Sequence, residues 1–123
     1  DDGPDYVRLG SAMTESSGVF TFPSTGFWMV EFYAIIQKNS GTQHCDITIE
    51  SLISSVSDTR AEASIGFTNE NYTSGSCATL FDCSNTSTHK VQFAVSQTNT
   101  ANGCKGDTNN NVTYFIFTRL ADT

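Results

Sequence analysis

A chain of 123 residues has the length for one domain, 1–123, and its nine Phe, four Tyr and one Trp supply the bulk to fill a single core. Thirteen acidic residues against six basic ones leave a net charge of -7, and the bases Arg8, Lys38, Arg60, Lys90, Lys105 and Arg119 are scattered without forming a stripe. That balance argues against nucleic acid and anionic membrane surfaces as partners. No apolar run approaches the roughly 20 residues of a membrane helix, so no membrane insertion is expected.

The chain opens on Asp1-Asp2-Gly3-Pro4, without an initiator Met, and reads as a processed fragment. Short segments rich in β-branched and aromatic residues then recur between polar turns. Strands are predicted over 6–9 and 18–22, followed by a turn at Pro23-Ser24-Thr25-Gly26 and the longest strand, 27–37. Asn39-Ser40-Gly41 turns the chain into 46–53, and further strands are predicted over 60–68, 78–81, 90–97 and 112–120. No segment carries a helical apolar period; 61–64 comes nearest and is too short. The stretch TNTANGCKGDTNNN, 98–111, reads as a polar exposed loop with a turn at Asn102-Gly103. So many short strands at this spacing indicate an all-β, antiparallel sandwich or barrel.

The segment FWMVEFYAIIQ, 27–37, is the informative one. Strand side chains alternate between faces, so Trp28, Val30, Phe32, Ala34 and Ile36 share one side. Phe27, Met29, Glu31, Tyr33 and Ile35 share the other, and both sets are largely apolar. One face can enter the domain's own core while the other needs a second cover, which an opposite sheet, a covering loop or, most economically, another subunit could supply. The closing strand is also apolar on both sides, with Phe115 and Phe117 facing one way and Tyr114 and Ile116 the other. Phe27, Met29, Tyr33, Ile35, Phe115 and Phe117 are therefore the expected interface between subunits.

The four cysteines, Cys45, Cys77, Cys83 and Cys104, allow three disulfide pairings or free thiols. Cys77 and Cys83 are close enough in sequence to staple a local loop, which would leave Cys45 with Cys104 as a long-range pair. Zinc is disfavoured because no CxxC pair occurs. Sequons stand at Asn71, Asn85 and Asn111.

Catalysis finds little support. His44 and His89 lie in polar stretches near strand ends, with no nucleophile–base–orienter set beside them. Gly75-Ser76-Cys77 only faintly echoes a cysteine-protease segment, so no catalytic residue is assigned and the chain is not expected to be an enzyme. Glu31, amid an apolar strand, fits a perturbed acid or a buried ion pair. Asp107-Thr108-Asn109-Asn110-Asn111 resembles the start of a calcium loop but lacks the Gly and distal Glu of an EF-hand; no metal ligand or cofactor is assigned, and calcium is a minor alternative. Ligand binding falls to the loops 55–59, 69–76, 83–88 and 98–111, where Asn71, Tyr72, Asn85 and Asn109 offer hydrogen bonding and stacking for protein or glycan.

The run Gly18-Val19-Phe20-Thr21-Phe22-Pro23-Ser24-Thr25-Gly26-Phe27-Trp28-Met29-Val30 resembles the front half of a C1q-type globular head, with its G-x-F-x-x-P-x-x-G-x-Y-x-F pattern. Gly18, Phe20, Pro23 and Gly26 match, while Trp28 replaces Tyr and Val30 replaces Phe. The strand 112–120 resembles the family's last strand, with Ile116 where its F-x-G-F-like run has Gly. The resemblance implies a two-sheet antiparallel jelly-roll sandwich of about ten strands, of the C1q/tumour-necrosis-factor type, closed as a homotrimer. It also implies receptor recognition or adhesion without catalysis. The Asn/Ser/Thr-rich composition is closest in style to heads on phage and viral fibres, which would place the chain on a virion surface and give it a cell-surface receptor. A secreted C1q-like extracellular domain and a jelly-roll capsid or decoration protein are the alternatives.

Overall fold

The computed structural model describes residues 9–38, 44–67, 71–97, 103–107 and 110–123. The predicted strand 6–9 falls almost entirely outside them, as do the Asn39-Ser40-Gly41 turn, Asn102 and Asn109. Among the described residues the chain is all-β, with nine strands: β1 (Thr14–Ser16), β2 (Val19–Thr21), β3 (Gly26–Gln37), β4 (His44–Ile53), β5 (Val56–Gly66), β6 (Tyr72–Cys83), β7 (His89–Gln97), β8 (Gly103–Cys104) and β9 (Tyr114–Ala121). They form two antiparallel sheets. One runs β1-β2-β7-β4-β5, and in the other β3 lies between β6 on one edge and β8 and β9 on the opposite edge.

The core lies between the sheets. Trp28, Val30, Phe32, Ala34 and Ile36 of β3 are all buried, facing Cys45, Ile47 and Ile49 of β4, Ile65 of β5 and Val91 of β7. Aromatic rings fill one stretch of this layer. Phe22 stacks on Phe81 at 5.2 Å and tilts against Trp28, and Phe93 stacks on Phe115 at 4.0 Å. Phe20 touches Phe93, Phe115 and Phe117, linking both sheets through one ring. Each such ring contributes on the order of 2–3 kcal/mol by leaving water, plus about 1 kcal/mol per well-placed pair. The Trp28 indole N–H is buried without a hydrogen-bond partner among the described residues.

Three of the four matched motif positions have a clear physical reason. Gly18 (φ 81°) follows Ser17 (φ 53°) in the two-residue turn joining β1 to β2. Left-handed backbone at both central positions is what a type I′ hairpin turn requires. Gly26 (φ 140°) opens β3, and a Cβ there would sit 2.5 Å from the Ala121 carbonyl oxygen. Phe20 is the ring that links the sheets. Ser54 and Ser55 (φ 50° and 69°) close the β4–β5 hairpin with the same backbone as Ser17-Gly18 but no glycine.

Several expectations are corrected. β6 begins at Tyr72 rather than residue 78, so most of the supposed loop 69–76 is strand; β5 likewise takes in most of 55–59 and all of the weak helical stretch 61–64. Thr-Ser-Gly-Ser has poor intrinsic strand preference, and a full ladder from Gly26↔Cys83 to Gln37↔Tyr72 overrides it. The polar loop 98–111 contains a short strand, β8, against Ile36 and Gln37. The local Cys77–Cys83 staple is excluded: both lie on one straight strand, six residues and about 20 Å apart, far beyond disulfide reach. All four cysteines are free thiols.

Two substitutions test this packing. Gly75 faces Ile65 across the sandwich, and a Cβ at Gly75 would lie 2.5 Å from Ile65 Cδ1, with Ile65 itself buried. Gly75→Ala is expected to destabilise by about 1–3 kcal/mol through overpacking. Ser55→Gly is expected to stabilise by about 0.5–1 kcal/mol by removing the left-handed penalty. Denaturant midpoints of both variants against the parent check the two signs.

Candidate interaction face

The two sheets turn chemically opposite outer faces away from the core. On the β1-β2-β7-β4-β5 sheet, register places Asp46, Thr48 and Glu50 of β4 beside Ser64 and Glu62 of β5 and Ser96 and Gln92 of β7. These groups bond to one another. Glu50 accepts from Gln92 Nε2 at 2.6 Å and Ser57 Oγ at 3.0 Å, and Asp46 accepts from Ser64 Oγ. Such a face is satisfied in water.

The outer face of the β6-β3-β9 sheet is different. β3 contributes Phe27, Met29, Glu31, Tyr33 and Ile35, all partly exposed, in alternation with its buried set. Opposite them β6 brings Asp82, Leu80, Ala78, Ser76 and Ser74, and β9 brings Thr118, Ile116 and Tyr114. Leu80 is 58% exposed, Ile116 38% and Phe27 36%, so large apolar side chains meet solvent side by side. Among the described residues of this face the charged ones are Glu31 and Asp82.

At its centre Tyr33 donates its hydroxyl to Glu31 Oε1 at 2.8 Å and stacks on Tyr114 at 4.8 Å, nearly parallel. The hydrogen bond to Glu31, then that carboxylate's charge, hold the Tyr33 phenol above its ordinary 10.0. A shallow open depression lies at this end of the face, bordered by Tyr33, Ile35, Ser74, Ser76, Asn111 and Tyr114.

Of the expected interface residues, Phe27, Met29, Tyr33 and Ile35 lie together on this face. Phe115 and Phe117 do not. Register pairs them with Phe32 and Val30, which turns them inward against Phe93 and Phe20. Tyr114 and Ile116 stand in their place. The phase of β9 against β3 decided this, and no residue type within β9 announces it.

The loop residues separate as well. Asn71 and Tyr72 lie at the start of β6 and Asn85 beyond its end, about 40 Å away along a twelve-residue strand. Asn109 lies outside the described residues. Asn85 is occupied in its own turn: its carbonyl accepts from Thr88 and His89 N–H and its Oδ1 from Ser87 N–H. Tyr72 is 47% exposed, with Lys105 Nζ 5.0 Å from its ring centroid. That cation over an aromatic ring was not foreseen, since 33 positions separate the pair.

Groups with chemical potential elsewhere are tied into structure. His89 meets Ser84 Oγ at 3.2 Å through Nε2, but its Nδ1 partner is the Thr88 hydroxyl rather than a carboxylate. Cys77 points inward with its thiol toward the Ile47 carbonyl at 3.8 Å, and burial pushes that thiol up, away from a reactive thiolate. Asp107 Oδ1 accepts from Asn110 N–H and Nδ2. No group of three or more metal-ligating side chains occurs among the described residues. No helix among them is long and apolar enough to cross a membrane. Comparison with family models and with curated proteins finds no match to this chain.

The Tyr33–Glu31 pair sets a pH signature. Because the folded phenol pKa is raised, the pair's stabilisation is fully present below pH 10 and is lost as pH rises through the folded value. Titration of tyrosinate absorbance should show one tyrosine ionising late, and Glu31→Gln should return it toward the ordinary value.

Proposed function

We propose that the chain is a non-enzymatic recognition head that closes as a homotrimer through the outer face of the β6-β3-β9 sheet. The observation that carries this reading is the contrast between the two outer faces. One is a hydrogen-bonded polar surface; the other lines up Phe27, Met29, Ile35, Leu80, Ile116 and two stacked tyrosines. A patch of that kind on a chain rich in polar residues marks a place where water is meant to be excluded.

A second copy of the same chain fits the patch better than an unrelated partner. Chains that each carry a net charge of -7 repel one another, and this face holds few of those charges. Its size also suits. Three strands about 4.8 Å apart and up to twelve residues long give a surface roughly 14 Å by 40 Å, comparable to one side of a small stable interface.

The strand pairing supports the jelly-roll form of the sandwich. β4 pairs β5, β3 pairs β6 and β2 pairs β7, each hairpin nested inside the next. A long antiparallel ribbon folded over on itself produces that nesting, and the β4–β7 and β3–β9 ladders close it into two sheets. Together with the Gly18, Phe20, Pro23 and Gly26 pattern, it favours the C1q/tumour-necrosis-factor type, and with that a trimer.

Recognition of a cell-surface receptor, protein or glycan, then falls to the ends of the sandwich. One end carries the Ser54-Ser55 hairpin and residues 84–88, joined by a Ser54 N–H to Thr88 carbonyl bond; the other carries Asn71, Tyr72 and Lys105. The polar, Asn/Ser/Thr-rich loops favour a place at the tip of a virion fibre.

Light scattering at micromolar concentration should return three times the 13.3 kDa protomer mass. Met29→Lys should leave the fold intact and weaken assembly at least about a hundredfold, since an unpaired ammonium would be buried at each contact. Glu62→Lys on the polar sheet should leave the mass unchanged. A parent chain that stays monomeric removes the proposal, and competition of the purified head for adsorption to host cells tests the recognition half.

A further inference from the structure

The cysteines divide into two kinds. Cys77 and Cys83 lie on the inner side of β6, where the Cys77 thiol meets the Ile47 carbonyl of β4 and the Cys83 thiol the His89 carbonyl of β7. Cys45 and Cys104 come from opposite sheets at the same end of the sandwich. Cys45 is the second residue of β4, points inward and is 1% exposed. Cys104 pairs with Ile36, and Ile36 is completely buried, so Cys104 sits on the core side of its sheet. After burial and the Asp46 charge, Cys104 is the remaining group raising the Cys45 thiol, which places the two side chains in each other's neighbourhood.

We propose that Cys45 and Cys104 are a redox-active pair that forms an inter-sheet disulfide, leaving Cys77 and Cys83 as permanent core thiols. Access sets the order of events. Cys104 belongs to an exposed edge strand of two residues, held to β3 by its ladder and by the Lys105 N–H to Ile35 carbonyl bond, so it meets the oxidant first. With a low-molecular-weight disulfide such as oxidised glutathione, the Cys104 thiol loses its proton and attacks one sulfur, releasing one glutathione thiolate. Cys45, deprotonated in turn, attacks the Cys104 sulfur of the mixed disulfide and expels the second glutathione thiolate. Two cysteine thiols are oxidised, one glutathione disulfide is reduced, and the two protons end on the two departing thiolates. Burial raises both thiols above their usual value, so the reaction is slow at neutral pH and accelerates as pH rises.

The bond would tie β4 to β8, which otherwise meets β3 through a two-residue ladder and the adjoining Lys105 N–H to Ile35 carbonyl bond. Constraining so long a loop in the unfolded chain raises stability. The pairing lies within one chain and does not depend on the oligomer.

The test uses the whole chain incubated with excess oxidised glutathione, then alkylated in denaturant and mapped by mass spectrometry. Two of the four thiols should be lost, the Cys45 and Cys104 peptides should be found linked, and the product should run as a single chain on a non-reducing gel. The thermal midpoint should rise by about 10 °C and fall back on reduction. Cys104→Ser, an exposed position that leaves the core intact, should abolish both the link and the shift, while Cys77→Ser should leave the link in place. A stable glutathione adduct on Cys104, a Cys104 link between two chains, or Cys45 recovered fully alkylated would each overturn the proposal.

Discussion

A strand can send only every second side chain into its own sandwich, and β3 is apolar on both sides along almost its whole length. Its inner set, Trp28 through Ile36, is sealed between the sheets. Its outer set is not, because β3 is the middle strand of its sheet and the chain supplies no third layer among the described residues. The other features follow from this geometry. The aromatic cluster around Phe20 and Phe93 exists because β2 and β7 close over the inner side of β3 and its neighbour β9. The exposed apolar surface exists because β6 and β9 extend the outer side with Leu80, Ile116 and Tyr114.

The distribution of charge points the same way. A small acidic domain gains solubility from like charge but loses any contact between copies through it. Here the carboxylates Asp46 and Glu50 decorate the opposite sheet, where amide and hydroxyl donors hydrogen-bond them. The β6-β3-β9 face is left nearly free of charge. Charge and exposed apolar surface are thus segregated onto opposite sheets.

What the residues announced depended on how far away the deciding partner lay. The strands β3, β4, β7 and β9 were legible because dense β-branched and aromatic runs leave little choice of conformation. β6 was half missed, since Tyr72–Gly75 is strand only by virtue of a ladder to a distant partner. β2 was legible within 18–22, but its partner β1 was missed because Thr14–Ser16 carries no apolar residue, though Ser17-Gly18 held a usable turn signal. Which side chains lie on the outer face was legible on β3 and illegible on β9 for one reason. Alternation within a strand is local, whereas which set of a partner strand faces inward is fixed by register, and the shift between Phe27 and Trp28 shows how easily register moves. The cysteines obey the same logic. Closeness in sequence suggested Cys77 with Cys83, and extended backbone holds them apart, while strand placement brings Cys45 and Cys104 to one end.

Glu31 sets a condition on anything that would cover this face. A carboxylate at the centre of an apolar surface costs little while that surface meets water and far more once it is covered. The Tyr33 hydroxyl satisfies part of it, and Tyr114 stacked behind Tyr33 keeps that hydroxyl in place. Closing the face against a flat apolar partner would leave the other lone pairs of Glu31 without donors. A partner that presents a hydroxyl or amide at matching height removes that cost, and a copy of the same face, with its own Tyr33, Ser74, Ser76 and Tyr114 around the centre, carries such groups. The single acid would thus favour, among apolar partners, one that also brings hydrogen-bond donors.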